Sequence, residues 1–219
     1  GGKTTLTNAL AVSCNSAFAW LGNQLGQDAI RAQAEKFGFN KSFTVPMRSA
    51  ASKYPTGLDA AQTAMSAIGQ FDVTATTLQM AMVGAAIGNN GITMNPYLVK
   101  EIRGADLQIV QTASPSQFAT AMSPTNAKAE LNMMVDVVEN GTGSNAQIGG
   151  IKVGGKTGTA ETGPGRPAVA WFVAVAPADN PKVAVAVCIE NAGGKSEISG
   201  NGLGAPIAKS VIEAVLNNQ

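Results

Sequence analysis

Histidine is absent from these 219 residues. That absence alone excludes a Ser-His-Asp triad, a Cys-His pair and every histidine-based metal site. Cysteine occurs only as Cys14 and Cys188, too few to hold a structural zinc. They stand either as two unpaired small core residues or, in an oxidising compartment, as a single disulfide. Charged residues make up 13% of the chain and sum to +1, with the lysines scattered singly. A nucleic-acid surface or an electrostatic lipid anchor needs clustered positive charge, so neither is expected. No apolar run reaches the roughly 20 residues that span a bilayer. The opening "GGKTTLTNALAV" lacks the basic, apolar and small-residue order of a signal peptide. Any anchor or export signal is expected outside these residues. Chemistry here must come from Ser, Thr, Lys, carboxylates or backbone amides.

What is present is a chain 45% hydrophobic, enough to bury the core of one full-sized domain or two small lobes. The first half reads as helices. "TNALAVS" (7–13), "NSAFAWLGNQLG" (15–26) and "DAIRAQAEKFG" (28–38) are apolar at helical spacing. Thr7, Asn15 or Ser16, and Asp28 are placed to open them; Gly26 and Gly38 are placed to stop them. Residues 42–58 read as irregular loop. "TATTLQMAMVGAAIGNNG" (74–91) predicts a buried helix ended by "NNG". "YLVKEIR" and "LQIVQT" predict a hairpin over 97–112. Ser123-Pro124 signals the cap and first turn of a helix over 124–141. The second half changes character: "AVAWFVAVAP" (168–177) and "KVAVAVCIEN" (182–191) predict an antiparallel strand pair, and 205–218 a closing amphipathic helix. Helices first, then antiparallel sheet, then one helix is an α+β layout. The methionines at 80, 82, 133 and 134 read as core filler, and Trp171 and Phe172 as packing between sheet and helix.

Lys156 lies in a stretch with two incompatible readings. Gly150, four residues, then Gly155-Lys156-Thr157 spell the phosphate loop G-x-x-x-x-G-K-T of a P-loop NTPase. Such a loop must open a helix, whose N-terminus holds the phosphates. Here "GTAETGPGRPAVAW" follows, and its glycines and prolines forbid one. "VAVAVCIE", ending at Glu190, imitates the acidic strand of that fold, but a tight turn joins it to its neighbour where a parallel sheet needs a long crossover. The phosphate-loop reading is a chance match. The alternative, Lys156-Thr157-Gly158-Thr159 as the K-T-G-T of serine acyl-transferases, fits an edge strand. A substrate alongside it meets an ammonium, two hydroxyls and free edge amides, which suit a carboxylate and a developing oxyanion. Four letters also fit a plain polar turn between strands.

Ser13-Cys14-Asn15 fits the S-x-N element that partners K-T-G. Ser199-Gly200-Asn201 matches equally; order and a position between two helices favour the first, although helix capping alone would explain Ser13 and Asn15. With "SCNSAFAWLG", "SAIGQFDVTATTLQMAMVGAAIGNNG", "NPYLV", "ENGTGSNAQIGGIKVGGKTGTAE" and "WFVAVAPADNPKVAVAVCIEN", nearly the whole chain resembles the transpeptidase domain of class B penicillin-binding proteins. It is especially similar to the actinobacterial penicillin-binding protein A group. Phe71, after "GQ", replaces a small or polar residue of many relatives. No serine is followed three residues later by lysine; Thr125-Asn126-Ala127-Lys128 is the nearest form and lies out of order. The chain therefore resembles the C-terminal part of one such domain over 1–219, with 1–147 a mostly helical lobe and 148–219 the K-T-G strand, antiparallel strands and closing helix. The N-terminal part of the β-lactamase-like fold, with the S-x-x-K serine and lysine, is expected outside these residues. Alone, this piece is expected neither to bind penicillin covalently nor to fold well.

The resemblance implies a D,D-transpeptidase that cross-links peptidoglycan stem peptides ending in D-Ala-D-Ala through an acyl-serine. β-Lactams would inactivate it, and no cofactor or metal is implied. Ser13 would relay a proton to the leaving amine, and Asn15 would orient the upstream lysine and the substrate amide. Lys156 would supply positive potential, Thr157 and Thr159 would hold the substrate carboxylate, and the Thr159 amide would join the oxyanion hole. Gly158 would keep the substrate's path open; Glu161 reads as a solvated acid. The implied partners are the stem peptide, β-lactams and the missing segment of the same protein. The implied place is the extracytoplasmic face of the cell membrane, reached through an anchor elsewhere. A β-lactam sensor domain or a class D-type β-lactamase shares the fold and K-T-G and is the alternative.

Overall fold

The computed structural model describes residues 2–163, 165–192 and 198–218. Helix α1 (Leu6–Ala11) is opened by Thr5, whose side chain accepts from Asn8 N, so the cap precedes the expected Thr7. α2 (Asn15–Leu25) starts after Cys14, which forms no side-chain cap bond; neither Asn15 nor Ser16 caps it. Gly26, at φ +79°, ends α2 and leads straight into α3 (Gln27–Lys36), which stops at Phe37, one residue before Gly38. α4 (Ala60–Ser66) has little apolar periodicity to announce it. A reciprocal capping box nucleates it: Asp59 accepts from Gln62 N while the Gln62 side chain accepts from Asp59 N. α5 (Thr77–Gly88) is capped by Thr76. α6 (Pro124–Glu139) begins as expected, with the Ser123 hydroxyl accepting from Asn126 N and Pro124 in the first turn.

Two small ribbons separate α5 from α6. β1 (Ile92–Met94) pairs antiparallel with β4 (Gln117–Thr120), and between them the expected hairpin forms from β2 (Glu101–Arg103) and β3 (Ile109–Thr112). The main sheet is antiparallel in the order β5 (Gly154–Ala160), β6 (Val169–Ala176), β7 (Val183–Ile189). A single π-helical turn over 200–204 then feeds α7 (Ala205–Asn217).

Alternation along β6 builds a core on each side of the sheet. Phe172, Ala174 and Ala176 pack with Ala205, Ala208 and Ile212 under α7, while Val175 packs with Ile87, Leu131 and Met134 from α5 and α6. Adjacent residues of a strand face opposite ways, so Trp171 and Phe172 do not share one layer: Phe172 is wholly buried toward α7, and half-buried Trp171 lies on the other face. Met82 and Met134 are core residues, and Met80 and Met133 are half-buried. Cys14 and Cys188 are free thiols and half-buried, outside the core proper. The glycines that open β5 admit α6. A Cβ on Gly154 would meet Leu131 Cδ1 at 2.7 Å, and one on Gly155 would meet Phe172 Cζ at 2.7 Å and Val138 Cγ2 at 2.9 Å. No helix among the described residues is long and apolar enough to cross a membrane.

Candidate active site

Strand β5 is an edge: β6 covers one side, and the other is free to face α1 and α2. Its Lys156 Nζ donates 2.8 Å to Ser13 Oγ, across 143 positions of sequence, and 2.8 Å to the Thr157 carbonyl. Because that carbonyl accepts from a side chain reaching outward, the backbone N–H and C=O of Thr157 lie on the free edge. Strand alternation then puts those of Thr159 there too, while Gly158 points its own at Trp171 in β6. An open amide at Thr159 is what an oxyanion hole requires. Burial lowers the Lys156 pKa to about 8, because desolvation disfavours the ammonium.

Ser13 owes its position to the end of α1. Cys14 N donates 2.8 Å to Ala9 O and Ser13 N donates 3.1 Å to Leu10 O, the paired bonds of a Schellman C-cap. The residue between them adopts the left-handed conformation usually left to glycine, and here it is Ser13, at φ +53°. A serine held there costs about 1 kcal/mol or more. Ser13 and Asn15 are therefore not helix N-caps; the turn between α1 and α2 projects both into one cleft with Lys156 and Thr157 to Thr159.

That cleft has a volume of about 770 Å³. Sequence reasoning missed six of its walls: Leu10, Phe18, Ala67, Ile68, Gln70 and Thr142. The Thr142 and Thr157 hydroxyls share a hydrogen bond of 2.8 Å. The second S-x-N match, Ser199 to Asn201, also lines the cleft but serves the fold instead, since the Ser199 hydroxyl accepts from Gly202 N and caps the π turn. Gly200 rests on the bare backbone behind the Gly158–Trp171 pair, where a Cβ would overlap the Trp171 carbonyl oxygen and meet Gly158 N at 2.9 Å. A Cβ on Gly158 itself would meet Trp171 Cβ at 3.1 Å, so its missing side chain also serves strand packing. Thr125 and Lys128 are exposed on α6 and line neither cleft, and Glu161 is exposed just beyond β5.

A second, largely apolar cavity of about 430 Å³ adjoins Lys156 on the α5 and α6 side of the sheet, walled by Val83, Ile87, Met134, Trp171 and Val173. Glu130 borders it, and burial raises its carboxyl pKa. The phosphate-loop reading fails here, since residues 154–160 are strand throughout and Glu190 follows a strand antiparallel to its neighbour.

Residues 1–213 match the family model described as the penicillin binding protein transpeptidase domain. The chain is 42% identical, over 99% of its length, to the peptidoglycan D,D-transpeptidase PbpA of Mycolicibacterium smegmatis, of which it covers 45%. It superposes on the crystal structure of PBPA from Mycobacterium tuberculosis with a TM-score of 0.90 at 40% identity, over 99% of this chain and 53% of that one. A structure of penicillin-binding protein A from M. tuberculosis as a penicillin G acyl-enzyme complex matches with a TM-score of 0.89 at 40% identity, over 99% and 50%. The chain thus spans about half the length of these relatives.

Proposed function

The chain belongs to the penicillin-binding protein transpeptidase domain family, and from that premise we propose that its cleft is the part of a serine D,D-transpeptidase site that grips the acyl donor's terminal carboxylate. The observation that carries this reading is the 2.8 Å bond from Lys156 Nζ to Ser13 Oγ at the free edge of β5. A nucleophilic serine and a basic lysine come from a segment that these residues do not include; no serine here precedes a lysine by three. The apolar cavity beside Lys156 offers that segment a seat. The S-x-x-K, S-x-N and K-T-G elements then belong to one transpeptidase domain, of which residues 1–219 are the C-terminal part.

The serine oxygen attacks the carbonyl between the last two D-alanines of a stem peptide and gives its proton to the neutral lysine. Ser13 relays that proton to the departing amine, and free D-alanine leaves. Asn15 orients the lysine and the substrate amide. The Thr159 N–H and the nucleophile's own N–H hold the tetrahedral oxyanion, each donor worth roughly 2.7–4 kcal/mol in the transition state. Lys156, Thr157 and Thr159 hold the terminal carboxylate. An amine of a second stem attacks the acyl-serine, forming the cross-link and freeing the serine. A β-lactam carries a strained amide and a carboxylate at matching positions, so it acylates the same serine. An enzyme that cross-links peptidoglycan acts at the outer face of the cell membrane, which fits an anchored ectodomain.

The test is acylation of the full-length protein by fluorescent penicillin, followed by release of D-alanine from a stem peptide. Wild type should acylate, deacylate slowly and release D-alanine, while Lys156→Ala and Ser13→Ala acylate orders of magnitude more slowly and still unfold cooperatively. Rapid deacylation without D-alanine release would instead indicate a β-lactamase, and unchanged rates in both variants would remove these residues from the mechanism.

A further inference from the structure

Thr142 is unused by that mechanism, yet it touches both halves of the site. It lies in the turn that leaves α6, and its backbone N–H donates 3.0 Å to the carbonyl of Ala11, two residues before Ser13. The fit is close: a Cβ on the preceding Gly141 would overlap that same carbonyl oxygen. On its other side, Gly143 N donates 2.8 Å to Val137 O and ties the turn to α6. The Thr142 hydroxyl meets the Thr157 hydroxyl at 2.8 Å on the K-T-G strand. One residue thus joins the end of α1, the end of α6 and β5.

We propose that Thr142 is a positioning residue that sets the spacing of the Ser13 turn from β5 and aims a hydroxyl proton of the Thr142–Thr157 pair at the substrate's carboxylate. This rests on the transpeptidase reading and adds a recognition element to it. Each threonine hydroxyl has one proton. Whichever of the two donates to the other, the acceptor keeps its own proton free, and both side chains line the cleft. A carboxylate only accepts hydrogen bonds, so its arrival selects the orientation that turns the free proton toward it. The bond between the hydroxyls then strengthens the outer one, since linked donors polarise each other. Without the Thr142 hydroxyl, Thr157 is free to rotate and its proton is no longer directed.

The experiment compares Thr142→Val, which keeps the branched shape and the backbone N–H, with Thr142→Ser, which keeps the hydroxyl, both in the full-length protein. Second-order acylation rates are measured with a penicillin bearing its free carboxylate and with the methyl ester of the same compound. In Thr142→Val the acid should react about tenfold more slowly while the ester changes little, matching the loss of one hydrogen bond to a charged group. Thr142→Ser should restore the wild-type preference for the acid. If Thr142→Val does not fold, Thr142→Ala carries the same comparison. Equal slowing of acid and ester, or no slowing of either, overturns the inference. A wild-type protein that takes up neither compound sinks the transpeptidase reading itself, and this inference with it.

Discussion

Raising the pH from 7 to 9 carries Lys156 through its titration, because burial places its pKa at about 8, below the ordinary 10.5. The ammonium is about nine-tenths populated at pH 7, half at pH 8 and about one-tenth at pH 9. If Lys156 acts as a positive charge beside the substrate carboxylate, acylation should fall roughly tenfold across that interval, with a midpoint near pH 8. The attraction lost is large enough for such a fall: two unit charges 4 Å apart near a protein surface attract by about 4 kcal/mol. Stability moves the opposite way. Between pH 8 and 10.5 the unfolded chain binds a proton that the folded chain does not, so stability rises with pH in that window. Lys156→Met removes the buried ammonium and should raise the melting temperature at pH 7, by up to about 3 kcal/mol in stability. That advantage should disappear above about pH 10. The assay is stopped-flow acylation by fluorescent penicillin from about pH 6 to 10, with circular dichroism confirming the fold at each pH. The descending limb near pH 8 should be present in wild type and absent in Lys156→Met. A rate that stays flat or climbs through pH 8 in wild type would refute the charge argument and make the neutral amine the working form.

Three further substitutions test how the frame holds the site. Phe172→Ala empties a fully buried position between β6 and α7 and should cost about 3–5 kcal/mol in urea unfolding. Gly200→Ala would drive a methyl into the backbone of Trp171 and Gly158, so acylation and melting temperature should fall together. In Gly202→Ala, whose added carbon meets only the Ser199 hydroxyl at 3.1 Å, both should fall less.

Local chemistry made much of the frame legible. Ser123-Pro124 marks a helix start because proline supplies helical φ and needs no donor in the first turn, and α6 begins there. The apolar runs at 168–177 and 182–191, joined by four turn residues, could only fold back on each other as β6 and β7. Other features lacked a local signal. α4 is seven residues long with little apolar periodicity, and its one signature was the Asp59–Gln62 capping box. β1 and β4 are three and four residues long and pair across an intervening hairpin, so no neighbouring pattern announces them. The π turn over 200–204 exists because Gly200 and Gly204 sit against Trp171 and Phe172, a contact between distant segments. Thr142 carried no signal of its own, because its two partners, Ala11 and Thr157, belong to other elements.

The amino-acid order by itself determined where α6 starts, that residues after Thr157 cannot be helical, and that a histidine-free site must work through hydroxyls, amines, carboxylates or backbone amides. Ser13 and Ser199 share a three-letter pattern and both line the cleft; order along the chain and a place between two helices favoured Ser13, but nothing local said which hydroxyl would meet Lys156. Folding decided it. α1 packs on α6 and α6 packs on β5, and that stacking brings the Ser13 hydroxyl to the Lys156 ammonium while the Ser199 hydroxyl turns back to its own backbone. Secondary structure follows from side chains a few positions apart, whereas a contact across 143 residues depends on how whole layers settle against each other.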